Sequence, residues 1–139
     1  MTKKIISSLK NNQFDNIFRR SAGLPSALTA LMKAEPRGNR INLLPYCVEQ
    51  LLEIAADTSS PDIARIHSLN ILKYTFQDSE LKMDLEHYIG KGLMLAIIGF
   101  TDNDWSIRNS SLMLYSAILG RLFPKGNEER PSFKNKLNI

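Results

Sequence analysis

Side chains suited to catalysis are scarce in this sequence. His67 and His87 are its two histidines and Cys47 its single cysteine. Nucleophilic catalysis needs a hydroxyl or thiol with a base in reach. His67, however, stands between Ile66 and Leu69, in a stripe that suits a packing or hydrogen-bonding histidine. Cys47 shares a helical stripe with Val48 and Leu51 and reads as a small buried hydrophobe. One cysteine and two separated histidines form no metal-ligand cluster. Gly90-Lys91-Gly92 is too short for a phosphate loop and falls in a helical region. The acidic residues at 78–86 read as a solvated helix and loop. No dinucleotide or S-adenosylmethionine fingerprint is present. These residues therefore predict no catalytic set, no metal and no cofactor.

Two other segments carry recognition chemistry. The first is Arg19-Arg20-Ser21-Ala22-Gly23-Leu24-Pro25. Guanidinium forks bind phosphate or carboxylate bidentately, and the Gly-Leu-Pro corner sets them at a helix end. The run equally suits an inter-helix corner whose arginines pair with acids of the next helix, and both uses can hold together. The second is Trp105-Ser106-Ile107-Arg108-Asn109-Ser110-Ser111-Leu112. Trp105 suits a core or interface anchor. Arg108, Asn109, Ser110 and Ser111 set a polar patch in an apolar helix, and buried polar groups need partners. Structural use of this patch is favoured over ligand contact.

Helical periodicity supplies the elements that position these residues. Helices are expected over about 13–22 and 25–34, with Gly23 placed as a C-cap and Pro25 opening the second. Ile41, Leu44, Val48, Leu51, Leu52 and Ala55 mark the next. Ser60 as N-cap and Pro61 as first helical residue start another, with Ile63, Ile66, Leu69, Leu72 (or Lys73) and Phe76 inward. A helix from about Asp84 to Phe100 is weakened by Gly90 and Gly92, which predicts a kink or a late start. Asp104 caps a helix from Trp105 to Phe123, apolar nearly all round and so expected to be covered on more than one side. No run reads as a strand.

Arg65-Ile66-His67-Ser68-Leu69 aligns with Arg108-Asn109-Ser110-Ser111-Leu112 at an offset of 43 residues. Asp15, Asp62 and Asp104 precede Arg19, Arg65 and Arg108 by three or four positions, a spacing for intrahelical ion pairs. Helix pairs repeating every 40–47 residues are the mark of HEAT or armadillo repeats. The fold class expected is therefore all-α, an armadillo/HEAT-like α-solenoid fragment. Its parts are an N-terminal segment at 1–12, a helical repeat domain at 13–123 and a flexible basic tail at 124–139.

The chain has 139 residues, 43% hydrophobic, with 18 basic against 14 acidic side chains. That length suits one domain with its own core. Residues 1–40 carry a net +6, residues 41–90 a net −5 and residues 91–139 a net +3. A basic stripe beside an acidic middle fits nucleic acid, a dipolar protein-docking face or an ordinary solvated surface. No run approaches about 18 apolar residues, and the basic start turns polar too soon for a signal-peptide core.

The Arg-Arg-Ser-Ala-Gly-Leu-Pro run, Ala34-Glu35-Pro36, His67-Ser68-Leu69-Asn70-Ile71-Leu72, Ala96-Ile97-Ile98-Gly99-Phe100 and the Trp105–Leu112 run together resemble the DUF2428 domain of the thyroid adenoma-associated protein family. That family includes the fungal accessory subunit of a tRNA 2′-O-ribose methyltransferase. The resemblance spans about residues 14–123. It implies a non-catalytic, armadillo-type scaffold that helps an FtsJ-like methyltransferase modify the ribose at position 32 of the tRNA anticodon loop. It implies S-adenosylmethionine on the partner enzyme only, and a cytoplasmic setting without membrane or metal. By carry-over, Arg19, Arg20, Ser21, Ala22, Gly23, Leu24 and Pro25 form the surface for tRNA or the methyltransferase. Trp105, Arg108, Asn109, Ser110 and Ser111 form a structural patch. Because family members are very long, the resemblance also implies that this is a short piece of a longer solenoid. The alternative is a helical-repeat scaffold that binds protein and not RNA.

Overall fold

The computed structural model describes residues 23–35 and 40–125. The expected helix at 13–22, the segment at 1–12 and the tail beyond Lys125 lie outside the described residues.

Pro25 sits in the first turn of α1 (Leu24–Ala34), where its fixed φ suits a helix and its missing N–H has no intrahelical acceptor to serve. Leu28, Thr29 and Met32 are its buried side. The Glu35 carboxylate accepts from the Leu43 N–H at 3.1 Å. It thereby satisfies one of the orphan donors that open α2 (Arg40–Ala56). Leu44, Cys47, Val48, Leu51, Leu52, Ile54 and Ala55 are buried along α2, the stripe expected from the sequence.

The start of α3 (Asp62–Gln77) differs from the expectation. Pro61 is the residue before the helix, at φ −55° and ψ 140°, and no side chain caps α3. Ser60 Oγ donates instead to Asp57 Oδ2 at 3.1 Å. Ser59 N and Oγ bind Asp57 Oδ1 at 2.9 and 2.6 Å, so the Ser60 hydroxyl is spent inside the turn. The buried side is also wider than the predicted stripe: Ala64, Arg65, Ser68, Leu69, Ile71, Leu72, Thr75 and Phe76 are buried. Ile63 and Ile66 are only half-buried. The reason is that α3 packs against α1, α2 and α5 at once.

Two 3₁₀ turns, Ser79–Leu81 and Glu86–Tyr88, precede α4 (Ile89–Gly99). They turn Leu81 and Leu85 fully into the core, which is why the helix starts late. Asp104 accepts from Ser106 N at 2.7 Å and Ile107 N at 3.1 Å, capping α5 (Trp105–Leu122) as its sequence position predicts. The fold is all-α, with no strand among the described residues. α3 is the central helix, flanked by α1 and α5, while α2 and α4 form a second row.

Helix α4 approaches its neighbours through glycine. A methyl group on Gly92 would lie 2.8 Å from Ile118 Cδ1 and 3.2 Å from the Phe76 ring, and one on Gly99 would overlap Ser111. Phe76 is 2% exposed and fills the junction of α3 and α4. Phe76→Ala is expected to cost about 3–5 kcal/mol by loss of burial and cavity formation. Met83→Ala, at an exposed site, should stay within about 0.5 kcal/mol. Urea unfolding followed by circular dichroism measures both.

Candidate functional site

Two helix-to-helix turns lie at the same end of the fold, and a buried arginine ties them together. Arg65, 7% exposed on α3, donates Nη2 to Asp102 Oδ2 at 2.8 Å and Nε to the Ala55 carbonyl at 3.3 Å. It also pairs with Asp62 at 3.5 Å. The intrahelical Asp62–Arg65 pair follows the sequence spacing. The stronger link, across 37 residues to Asp102, had no signal in local spacing. Asp102 in turn accepts the Asp104 N–H at 2.9 Å. That backbone bond, and then the Arg65 guanidinium, hold the Asp102 carboxyl below its ordinary value despite partial burial.

Arg108 does not pair with Asp104 as its spacing suggested, because the Asp104 carboxylate is engaged by the helix N-terminus. Its Nη1 donates to the carbonyls of Asp102 and Asn103 at 2.7 and 2.9 Å. The second signature patch is thus divided. Arg108 fastens the turn. Ser110 and Ser111 are buried, with Ser111 against Gly99 where α4 and α5 meet. Asn109 faces out. Trp105, at 68% exposure, is not a core anchor. It sits at the first residue of α5, on the side away from the buried Ile107 and Leu114.

Between α2 and α4, above these turns, lies an open cleft of about 980 Å³. Leu52, Ala55, Met94 and Ile98 form apolar walls, and Asp62 and Asp102 stand at its charged end. Arg65, held between two carboxylates, presents no open fork to a phosphate there. The described residues carry nine basic and eleven acidic side chains, so the basic excess of the chain resides elsewhere.

Of the first signature run, Arg19, Arg20, Ser21 and Ala22 lie outside the described residues. Gly23 precedes α1 with φ −84° and ψ −10°, so it does not take the left-handed conformation expected of a C-cap glycine. Leu24 packs against the core, and the Pro25 carbonyl accepts the Thr29 hydroxyl at 2.8 Å. Cys47 is fully buried. Burial, with the nearby Glu35 carboxylate adding to it, pushes its thiol up to about 11, which removes it as a nucleophile. Acidic residues 78 and 80 are less free than a solvated loop implies: Lys33 pairs with Asp78 at 3.0 Å and Glu80 at 3.5 Å. No described helix is long and apolar enough to cross a membrane.

Together these features define an all-helical protein whose polar side chains fasten helices to one another. The chain belongs to the THADA/TRM732 family, DUF2428, whose sequence model matches residues 1–106. It is 38% identical over 122 residues to the tRNA (32-2′-O)-methyltransferase regulator THADA of Gallus gallus, a match covering 86% of this chain and 6% of the relative. It is 38% identical over 107 residues to the Homo sapiens protein of that name, covering 76% of this chain and 6% of the relative. It is 32% identical over 114 residues to the regulator trm732 of Schizosaccharomyces pombe, covering 77% and 8%. The chain therefore spans less than one-tenth of the length of these relatives. No solved structure matches it.

The Asp102 carboxyl is held low in the fold, so its stabilising effect is present above the unfolded carboxyl value near 4. That effect is lost as pH falls below it through the folded value. Asp102→Asn should cost about 2 kcal/mol at pH 7 and flatten the fall in stability below about pH 4, read from urea midpoints across pH. Cys47 should resist a thiol reagent at pH 7 in the folded chain and react fully once urea unfolds it.

Proposed function

We propose that this chain is a non-catalytic, accessory module of tRNA 2′-O-ribose methylation. The supporting observation is its 32–38% identity, over at least three quarters of its length, to proteins named tRNA (32-2′-O)-methyltransferase regulators. In this reading it acts in the cytoplasm on the ribose at position 32 of the anticodon loop. An FtsJ-like methyltransferase is its partner and carries the S-adenosylmethionine. Arg19 and Arg20, next to Gly23-Leu24-Pro25, contact tRNA phosphates or carboxylates of the enzyme. The two-row helix packing and the 43-residue offset between the Arg65 and Arg108 segments support an armadillo/HEAT-like repeat, with α2–α3 and α4–α5 as successive units.

A second reading, a helical-repeat scaffold for protein alone, is favoured by the apolar side chains that α5 leaves exposed: Leu112 at 52%, Met113 at 42% and Leu122 at 42%. Under the first reading the purified chain retains tRNA at low salt and releases it as salt rises, or co-purifies with the methyltransferase. Loss of both activities removes that reading for this chain. Arg19→Ala with Arg20→Ala should lower the salt dependence of tRNA retention by about one to two ion contacts. The same pair, with this chain grafted into a long relative, should abolish ribose methylation while the circular dichroism of the full chain stays unchanged. Unaltered methylation would remove the arginines from the site.

A further inference from the structure

Helix α5 carries a second apolar stripe beside the one it buries. Trp105, Arg108, Leu112, Tyr115, Leu119 and Leu122 recur at steps of three and four residues, the spacing of one continuous helix face. The side buried against α3 and α4 is a different one, formed by Ile107, Ser110, Ser111, Leu114, Ala117 and Ile118. Soluble helices with apolar side chains on a face normally cover them.

Shifted back by 43 positions, this stripe falls on α3. Arg108 corresponds to Arg65, Leu112 to Leu69 and Leu119 to Phe76. On α3 these positions are 7%, 1% and 2% exposed, and what covers them is visible. Arg65 is received by Asp102 of the α4–α5 turn. Leu69 looks into the cleft under α4. The Phe76 ring lies against Gly92 of α4. The following helix pair thus supplies both the apolar cover and the carboxylate. On α5 the chemistry is repeated but, among the described residues, the cover is thinner: Leu112 is 52% exposed, Leu119 is half-buried, Tyr115 meets the Phe100 ring edge-on at 5.3 Å, and the Arg108 guanidinium donates to carbonyls of its own turn.

The geometry points to this face of α5 as the seat of a further two-helix unit, one that brings an acidic inter-helix turn to Arg108. A second copy of the chain fits less well, since the stripe holds a cation and no acid to receive its counterpart across a two-fold axis. This inference rests on the repeat reading above and not on the tRNA reading.

The test joins the full 139-residue chain to the stretch that follows the matched region in the Gallus gallus relative. Amide hydrogen exchange is then compared between the joined and the separate chain. Protection across Arg108–Leu122 should rise at least tenfold on joining. Leu112→Asp should remove that gain without lowering the melting temperature of the separate chain, whereas Leu69→Asp should unfold it. Arg108→Ala should reduce the gain in part. No added protection on joining overturns the proposal. So does concentration-dependent self-association of the separate chain through Leu112, or protection of the stripe by tRNA or methyltransferase in place of the joined stretch. tRNA retention by the Leu112→Asp chain, measured in parallel, separates a failure here from a failure of the tRNA reading.

Discussion

Helix α3 has to be covered on three sides. Leu69, Ile71, Leu72 and Phe76 are each 2% exposed or less, and they point around the helix and not along one stripe. No single neighbour can dehydrate such a surface, so α1, α2 and α5 are all recruited to it. At about 25 cal/mol per Å² of apolar area removed from water, this burial is the main force holding the described residues together. The remaining elements follow from it. The 3₁₀ turns after α3 exist because Leu81 and Leu85 must reach the same core, and α4 is set close by glycine because Phe76 and Ile118 already fill the space beneath it.

The polar side chains work within that frame as fasteners. Arg65 links three backbone segments, Arg108 and Asp104 shape the turn that Arg65 grips, and Lys33 ties α1 to the connection after α3. None of them is arranged as an acid, base or nucleophile, and Cys47 is held as a neutral thiol. Arg65 and Arg108 act by geometry and charge between helices and turns.

Much of this was legible in the residues. The stripe on α2 and the Asp104 cap follow from local rules that a sequence states openly, whereas α4 starts late through the burial of Leu81 and Leu85 and not through Gly90 and Gly92, which lie inside it. Pro61 was displaced by one position because Asp57, three residues before Ser60, captured the serine hydroxyl. The breadth of burial on α3 escaped periodicity, since a single stripe describes a helix with one neighbour and α3 has three. The Arg65–Asp102 bond and the exposure of Trp105 depend on contacts between distant segments, about which local spacing is silent. The Arg108 segment was recognisable as a polar patch. That its members divide between a turn, a helix seam and open solvent was a matter of packing.

Helix α4 meets α5 and α2 in two different ways. Between α4 and α5 the helices meet closely at two glycines, Gly99 against Ser111 and Gly92 against Ile118, and close-packed contacts of this kind yield little under load. Between α2 and α4 lies the open cleft, spanned at one end by the Arg65 bridge. α5 packs along α3 as closely as along α4, so α4 is fixed on its α5 side and faces open space on its α2 side.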